Sequence, residues 1–85
     1  MRLRKEQLVI SFASTHAAMS FSSYARREAI PGKLIALPQE IQASCGFAWN
    51  LECSSQEFSN ELKEKLLSVG ISEDHIHRVE LLVST

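Results

Sequence analysis

The segment Gln7-Leu8-Val9-Ile10-Ser11-Phe12-Ala13-Ser14-Thr15-His16-Ala17 changes its period halfway along. Up to Ala13 it alternates, with Leu8, Ile10 and Phe12 on one side and Val9 and Ser11 on the other, the two-residue period of a strand. Beyond Ser14 the apolar positions Ala17, Phe21, Tyr24, Ala25 and Ala29 recur three or four residues apart. That spacing predicts a helix to about Ala29, with Ser14 or Thr15 as its N-cap. Pro31-Gly32 ends the helix and turns the chain. A strand that hands over directly to a helix is half of a β-α-β unit, and the remaining sequence has to complete it.

Downstream, Lys33–Leu37 reads as a second strand, stopped by Pro38. Gln39–Cys45 is a loop. Gly46–Glu52 alternates again: Phe47, Trp49 and Leu51 are expected inward, and Ala48, Asn50 and Glu52 on a face open to water or to a partner. Ser54-Ser55-Gln56-Glu57 fits a capping box for a second helix running to Val69, with Phe58, Leu62, Leu66 and Val69 inward. Gly70 suits a left-handed cap, with Ile71 folding back on Leu66. Ile76–Val83 is the last strand, with Val79, Leu81 and Val83 expected inward. The order β-α-β-β-α-β predicts an α+β fold, a ferredoxin-like βαββαβ two-layer sandwich. Right-handed crossovers then give a four-stranded antiparallel sheet with both helices on one face. The third strand lies between the first two, and the fourth on the far side of the first. Residues 7–85 are read as one domain and residues 1–6 as a basic N-terminal extension.

Composition supports a globular chain and excludes several classes. The 85 residues are 45% apolar and 22% charged, and 9 basic against 10 acidic side chains leave a net charge of −1. Disordered and collagen-like chains do not look like this. A near-neutral balance argues against a nucleic-acid partner, which needs clustered basic surface. No apolar run approaches the ~20 residues of a membrane span. The apolar stretch from Leu8 to Ala13 behind the basic start is too short for a signal segment. The expectation is a cytoplasmic protein with no membrane partner. Cys45 and Cys53 stand eight positions apart, matching neither a redox pair nor a zinc knuckle, and His16, His75 and His77 show no ligand spacing to them. No metal and no cofactor is expected.

The expected topology turns the cysteines into chemistry. The exit of the first strand and the loop ending at Cys45 lie at one end of the sheet, so Cys45 should sit beside the start of the first helix. Cys53 should lie at the other end, about 20 Å away along the third strand, too far for a disulfide. The first helical turn, Thr15-His16-Ala17-Ala18, contains no acidic residue. Its amides and positive dipole end are free to favour another anion, and a thiolate is one. His16 could hydrogen-bond that thiol or accept its proton, or be a solvated loop residue. Gly46 would let a partner approach the sulfur and tolerates unusual φ. Against this, Cys45 could be a small buried hydrophobe, the reading preferred for Cys53. His75 and His77 read as surface residues, Tyr24 and Trp49 as core or interface anchors.

Three segments, Ser14-Thr15-His16-Ala17, Ile30-Pro31-Gly32 followed by Ile35, Leu37 and Pro38, and Ser44-Cys45-Gly46, occur in this order. The ordered set resembles the small bacterial selenium/sulfur carrier-like family over most of the chain from Leu8 onward. In that family the domain occurs alone or fused behind a sulfurtransferase-like domain. The resemblance implies that Cys45 is the carrier residue, holding a persulfide or selenopersulfide, with Ser14, Thr15, His16, Ser44 and Gly46 around it. It also implies donor and acceptor proteins of the cysteine desulfurase or sulfurtransferase type, and a carrier rather than a classical enzyme. The alternative is a non-catalytic interaction or regulatory module whose open sheet face, with Val9, Ser11, Ala48 and Asn50, serves a homodimer or a partner domain.

Overall fold

A computed structural model describes residues 2–43, 45–53 and 56–84, with side chains for 5–43, 45–53 and 56–80. The period change at Ser14 is where the first strand, β1 (Arg2–Ser11), gives way to helix α1 (Thr15–Arg27). Ser14 is the N-cap: it is extended, and its hydroxyl accepts from the Ala17 amide at 3.1 Å. The other elements are β2 (Lys33–Ala36), β3 (Phe47–Asn50), α2 (Asn60–Ser68), a single 3₁₀ turn at Glu73–His75, and β4 (Ile76–Ser84). The strand order is β2-β3-β1-β4 with every pairing antiparallel, the α+β sandwich expected from the sequence. β1 begins at Arg2 rather than Gln7, so residues 2–6 continue the ladder with β4 from Arg2↔Ser84 onward.

The helix-covered face holds the main core. Leu8, Ile10 and Phe12 pack with Trp49 and Leu51 beneath Ala18, Phe21 and Ala25 of α1 and Leu66 of α2. Ile10, Leu51 and Leu66 are fully buried, each contributing about 1.5–3 kcal/mol of transfer free energy. Trp49 stands edge-on to Phe21, with centroids 5.4 Å apart, and its indole N–H donates to the Pro31 carbonyl at 2.9 Å. That bond clamps the turn after α1 onto β3.

The opposite face is not the open surface expected. Val9 and Ala48 are wholly buried, and Ser11 and Asn50 nearly so. Ile41 folds over from the loop after β2 and joins Val9, Ala48 and Val79 in a second, smaller cluster flanked by Ile35 and Leu37. The mixed surface proposed for a homodimer is therefore covered by the chain itself. Val79 shows that the alternation in β4 runs one position out of step with the expected inward set. Its partner is Gln7, whereas Leu8 faces Arg78 and Ile10 faces Ile76. Directly opposed residues share a face, so Val79 lies away from the helices. Leu81 and Val83 fall outside the described side chains.

The second helix also starts later than expected. Ser59, not a residue of the Ser54–Glu57 box, caps α2 by accepting from the Leu62 amide at 3.1 Å; Ser54 and Ser55 lie outside the described residues. Phe58, Leu62 and Leu66 do face the core, but Val69 is 40% exposed. The end of α2 is as expected. Gly70 has φ +86°, the Ile71 amide donates to the Leu66 carbonyl, and the Gly70 amide to that of Leu67, a Schellman motif.

α1 ends in the same way, with the Ile30 amide on the Ala25 carbonyl, but its left-handed position is Ala29 at φ +55°. A Cβ there costs on the order of 1 kcal/mol. Ala29→Gly should raise stability by roughly 0.5 kcal/mol after the entropic cost of glycine is subtracted. A chemical-denaturation midpoint that falls in this variant would contradict that account.

Candidate functional site

Cys45 lies where the sheet topology demands, beside the first turn of α1. Its Sγ is 3.8 Å from Thr15 Oγ1, and the Phe47 amide donates to it at 3.3 Å. Two elements make this geometry. The β1–α1 junction fixes Thr15 through the Ser14 cap. The antiparallel β2–β3 pair fixes residues 46 and 47, with the Leu37 amide on the Gly46 carbonyl at 3.0 Å closing the loop stem. The sulfur thus accepts from the Phe47 backbone N–H and its thiol donates to the Thr15 hydroxyl oxygen, at the start of a helix with no acidic residue in its first turn. It is nevertheless only 3% exposed and belongs to the main core with Phe12, Ala18 and Phe21. Chemistry at this atom therefore requires it to emerge from its neighbours.

The other residues around it divide. Ser14 works as a helix cap, so its oxygen is engaged with the backbone. Thr15 touches the sulfur. His16 is exposed on the same turn but faces a cleft between α1 and the end of α2; among the described residues it makes no hydrogen bond to Cys45. Gly46 is exposed, and a Cβ built on it would meet nothing within 4 Å. Its φ is not positive, so the backbone there does not make use of the freedom of glycine, while the space on its side-chain side is open. Ser44 lies outside the described residues.

Cys53 occupies the opposite end of β3, after Glu52 at φ +56°, with the Leu8 amide bonded to its carbonyl at 2.9 Å. Both cysteines are free thiols. Burial first, and the Glu57 carboxylate second, push the Cys53 thiol above its ordinary value of 9.0. Its folded form therefore favours the neutral thiol. Whatever stability this contributes is present below the unfolded thiol's pKa and falls away as pH rises through the folded one. The alkylation of Cys53 should accordingly show a midpoint above about 9, lowered in Glu57→Gln; an unchanged midpoint in that variant would remove the carboxylate from the account.

Sequence reasoning missed two histidine contacts by reading both rings as surface. His77 Nε2 lies 2.9 Å from the buried Ser11 hydroxyl, and His75 Nδ1 is 3.2 Å from Ser72 Oγ. The signal was Ser11 itself, a polar residue on a face that the sequence treated as open. Among the described residues no three metal-ligating side chains cluster, and no helix is long and apolar enough to cross a membrane.

The family described as "Se/S carrier protein-like" matches the chain over residues 7–78. The matched span contains both sides of the Cys45 site, the α1 start and the loop into β3. No curated protein and no solved structure matches the chain.

Proposed function

The chain belongs to the Se/S carrier protein-like family, and from that premise we propose that it holds a sulfur or selenium atom on Cys45 and passes it from a donor protein to an acceptor. The observation that carries this reading is the pair of contacts on one sulfur: the Phe47 amide at 3.3 Å and the Thr15 hydroxyl at 3.8 Å, at the head of a helix with no acid in its first turn.

The step is a thiol–persulfide exchange. The Cys45 thiolate attacks the terminal sulfur of a donor persulfide. A new bond forms between Sγ and that sulfur, the donor's own S–S bond breaks, and its electron pair leaves with the donor thiolate, which takes up the proton lost by Cys45. One thiol and one persulfide give one persulfide and one thiol, so no outside oxidant or reductant is needed. A donor carrying selenium at the terminal position reacts with the same balance. Delivery to the acceptor is the reverse attack. The Phe47 amide and the Thr15 hydroxyl hold the sulfur in place, and Gly46 leaves room for the incoming group. His16 is exposed on the same turn. Donors would be of the cysteine desulfurase or sulfurtransferase type.

Intact-mass and peptide-mass measurement under non-reducing conditions tests this. After incubation with a cysteine desulfurase and cysteine, the peptide containing Cys45 should gain the mass of one sulfur atom. Cys53→Ser should keep the gain and Cys45→Ser should lose it. A clean thiol at Cys45, or an adduct confined to Cys53, would overturn the assignment.

A further inference from the structure

A sizeable cleft lies not at Cys45 but beside it around the helix. It measures about 570 Å³ and lies between α1 and the segment that leaves α2, within the ~300–1,000 Å³ typical of small-molecule sites. His16, Ser20, Tyr24 and Arg27 line it from one stripe of α1, and Val69 and Ile71 form the wall across from them. Phe12 and Phe21, with centroids 5.5 Å apart, make the floor. Val69 leaves apolar surface in contact with water, a cost that a bound apolar body would relieve.

The charge pattern says what kind of body fits. Arg27, His16 and His75 all line the cleft, and none of its lining residues is Asp or Glu. Asp74, next to His75, lines an adjoining smaller depression that shares Ser11, Phe12, Ala13 and His75 with the cleft, whereas Arg27 lines only the cleft. Among the described residues the side chains of Arg27 and His16 enter no ion pair or hydrogen bond, and His75 uses only Nδ1, towards Ser72. An aromatic floor, an apolar wall and a rim carrying the Arg27 guanidinium beside two imidazoles, with unused donors, are complementary to a small amphipathic anion. We infer that this cleft binds a small organic anion with an aromatic or apolar body, its acidic group held by Arg27. The site is separate from Cys45, whose side chain does not line it, and the inference stands whether or not Cys45 carries sulfur.

Three probes of one shape separate charge from apolar burial: naphthalene-1-sulfonate, naphthalene-1-methanol and 1-naphthylmethylammonium, each titrated into the ¹⁵N-labelled full chain. The sulfonate should shift the amide resonances of α1 and of residues 69–71, and should bind tighter than the alcohol and the amine by about fivefold or more. Arg27→Gln should remove most of that advantage. Ser20→Trp, at an exposed helical position, should fill the cleft and abolish the shifts while thermal unfolding stays unchanged. Equal affinity for the amine, shifts centred elsewhere, sulfonate binding unaltered in Arg27→Gln, or no shift at millimolar probe would each overturn the inference.

Discussion

Gly32→Ala should unfold the protein, or leave it with so little stability that its thermal transition falls near room temperature. Gly32 has φ +113°, a conformation L side chains rarely adopt, and a Cβ placed on it would stand 1.9 Å from the Asn50 carbonyl oxygen and 2.8 Å from Trp49 Nε1. Neither neighbour can yield cheaply. Asn50 is in β3, paired with both Lys33 and Val9, and Trp49 is held by its bond to the Pro31 carbonyl. Backbone strain of about 1–3 kcal/mol and overpacking of about 1–3 kcal/mol add to a loss on the order of 4 kcal/mol. A small domain has only ~5–15 kcal/mol in total. Urea denaturation followed by Trp49 fluorescence measures it. A loss below about 1 kcal/mol would mean that the turn relaxes away from β3, and that the Trp49–Pro31 clamp is not a fixed feature of the fold.

The two glycine turns also show what local sequence can and cannot reveal. Pro31-Gly32 and Gly70 were legible because only glycine is easy at positive φ, and the order of elements was legible because the hydrophobic period changes at Ser14. Parity in β4 was not. Leu81-Leu82 puts two apolar residues side by side, so alternation supports either register, and only the pairing with β1 chooses between them. The start of α2 was ambiguous for a related reason: Ser54, Ser55 and Ser59 can all cap a helix. The choice of Ser59 goes with a non-local constraint, the bond that ties the Cys53 carbonyl to Leu8 while Glu52 sits in the left-handed region. At the candidate site, topology alone put Cys45 beside Thr15. Its burial was not legible, because that depends on how Phe12, Ala18 and Phe21 close around the sulfur. The covered sheet face was hidden likewise, since a lone Ile41 in a polar loop carries no periodic signal.

Iodoacetamide should label Cys45 in the native protein at least about a hundredfold more slowly than in the urea-unfolded chain, because a residue only 3% exposed reacts only through an opening whose free energy lies between zero and that of global unfolding. Which opening it is can be decided from Ile41, which is buried in the second cluster against Val9, Ala48 and Val79. Ile41 anchors the far part of the loop whose stem is closed by the Leu37–Gly46 bond. Truncating it to alanine removes about 2–5 kcal/mol of burial and packing. If the loop releases Cys45 without the rest of the fold, about 1.4–2.8 kcal/mol of that loss reaches the opening equilibrium, and Cys45 labelling rises about 10- to 100-fold at ~1.4 kcal/mol per decade. Cys53, at the other end of β3 and bonded to β1 through its carbonyl, is the internal control. It should speed up far less in Ile41→Ala, as peptide mapping of both sites in one sample would show. Equal acceleration of the two cysteines would mean that Cys45 is reached only by unfolding the sheet. A carrier could not use that route, because handing an atom to a partner needs the sulfur to come out while β1 and β3 stay paired.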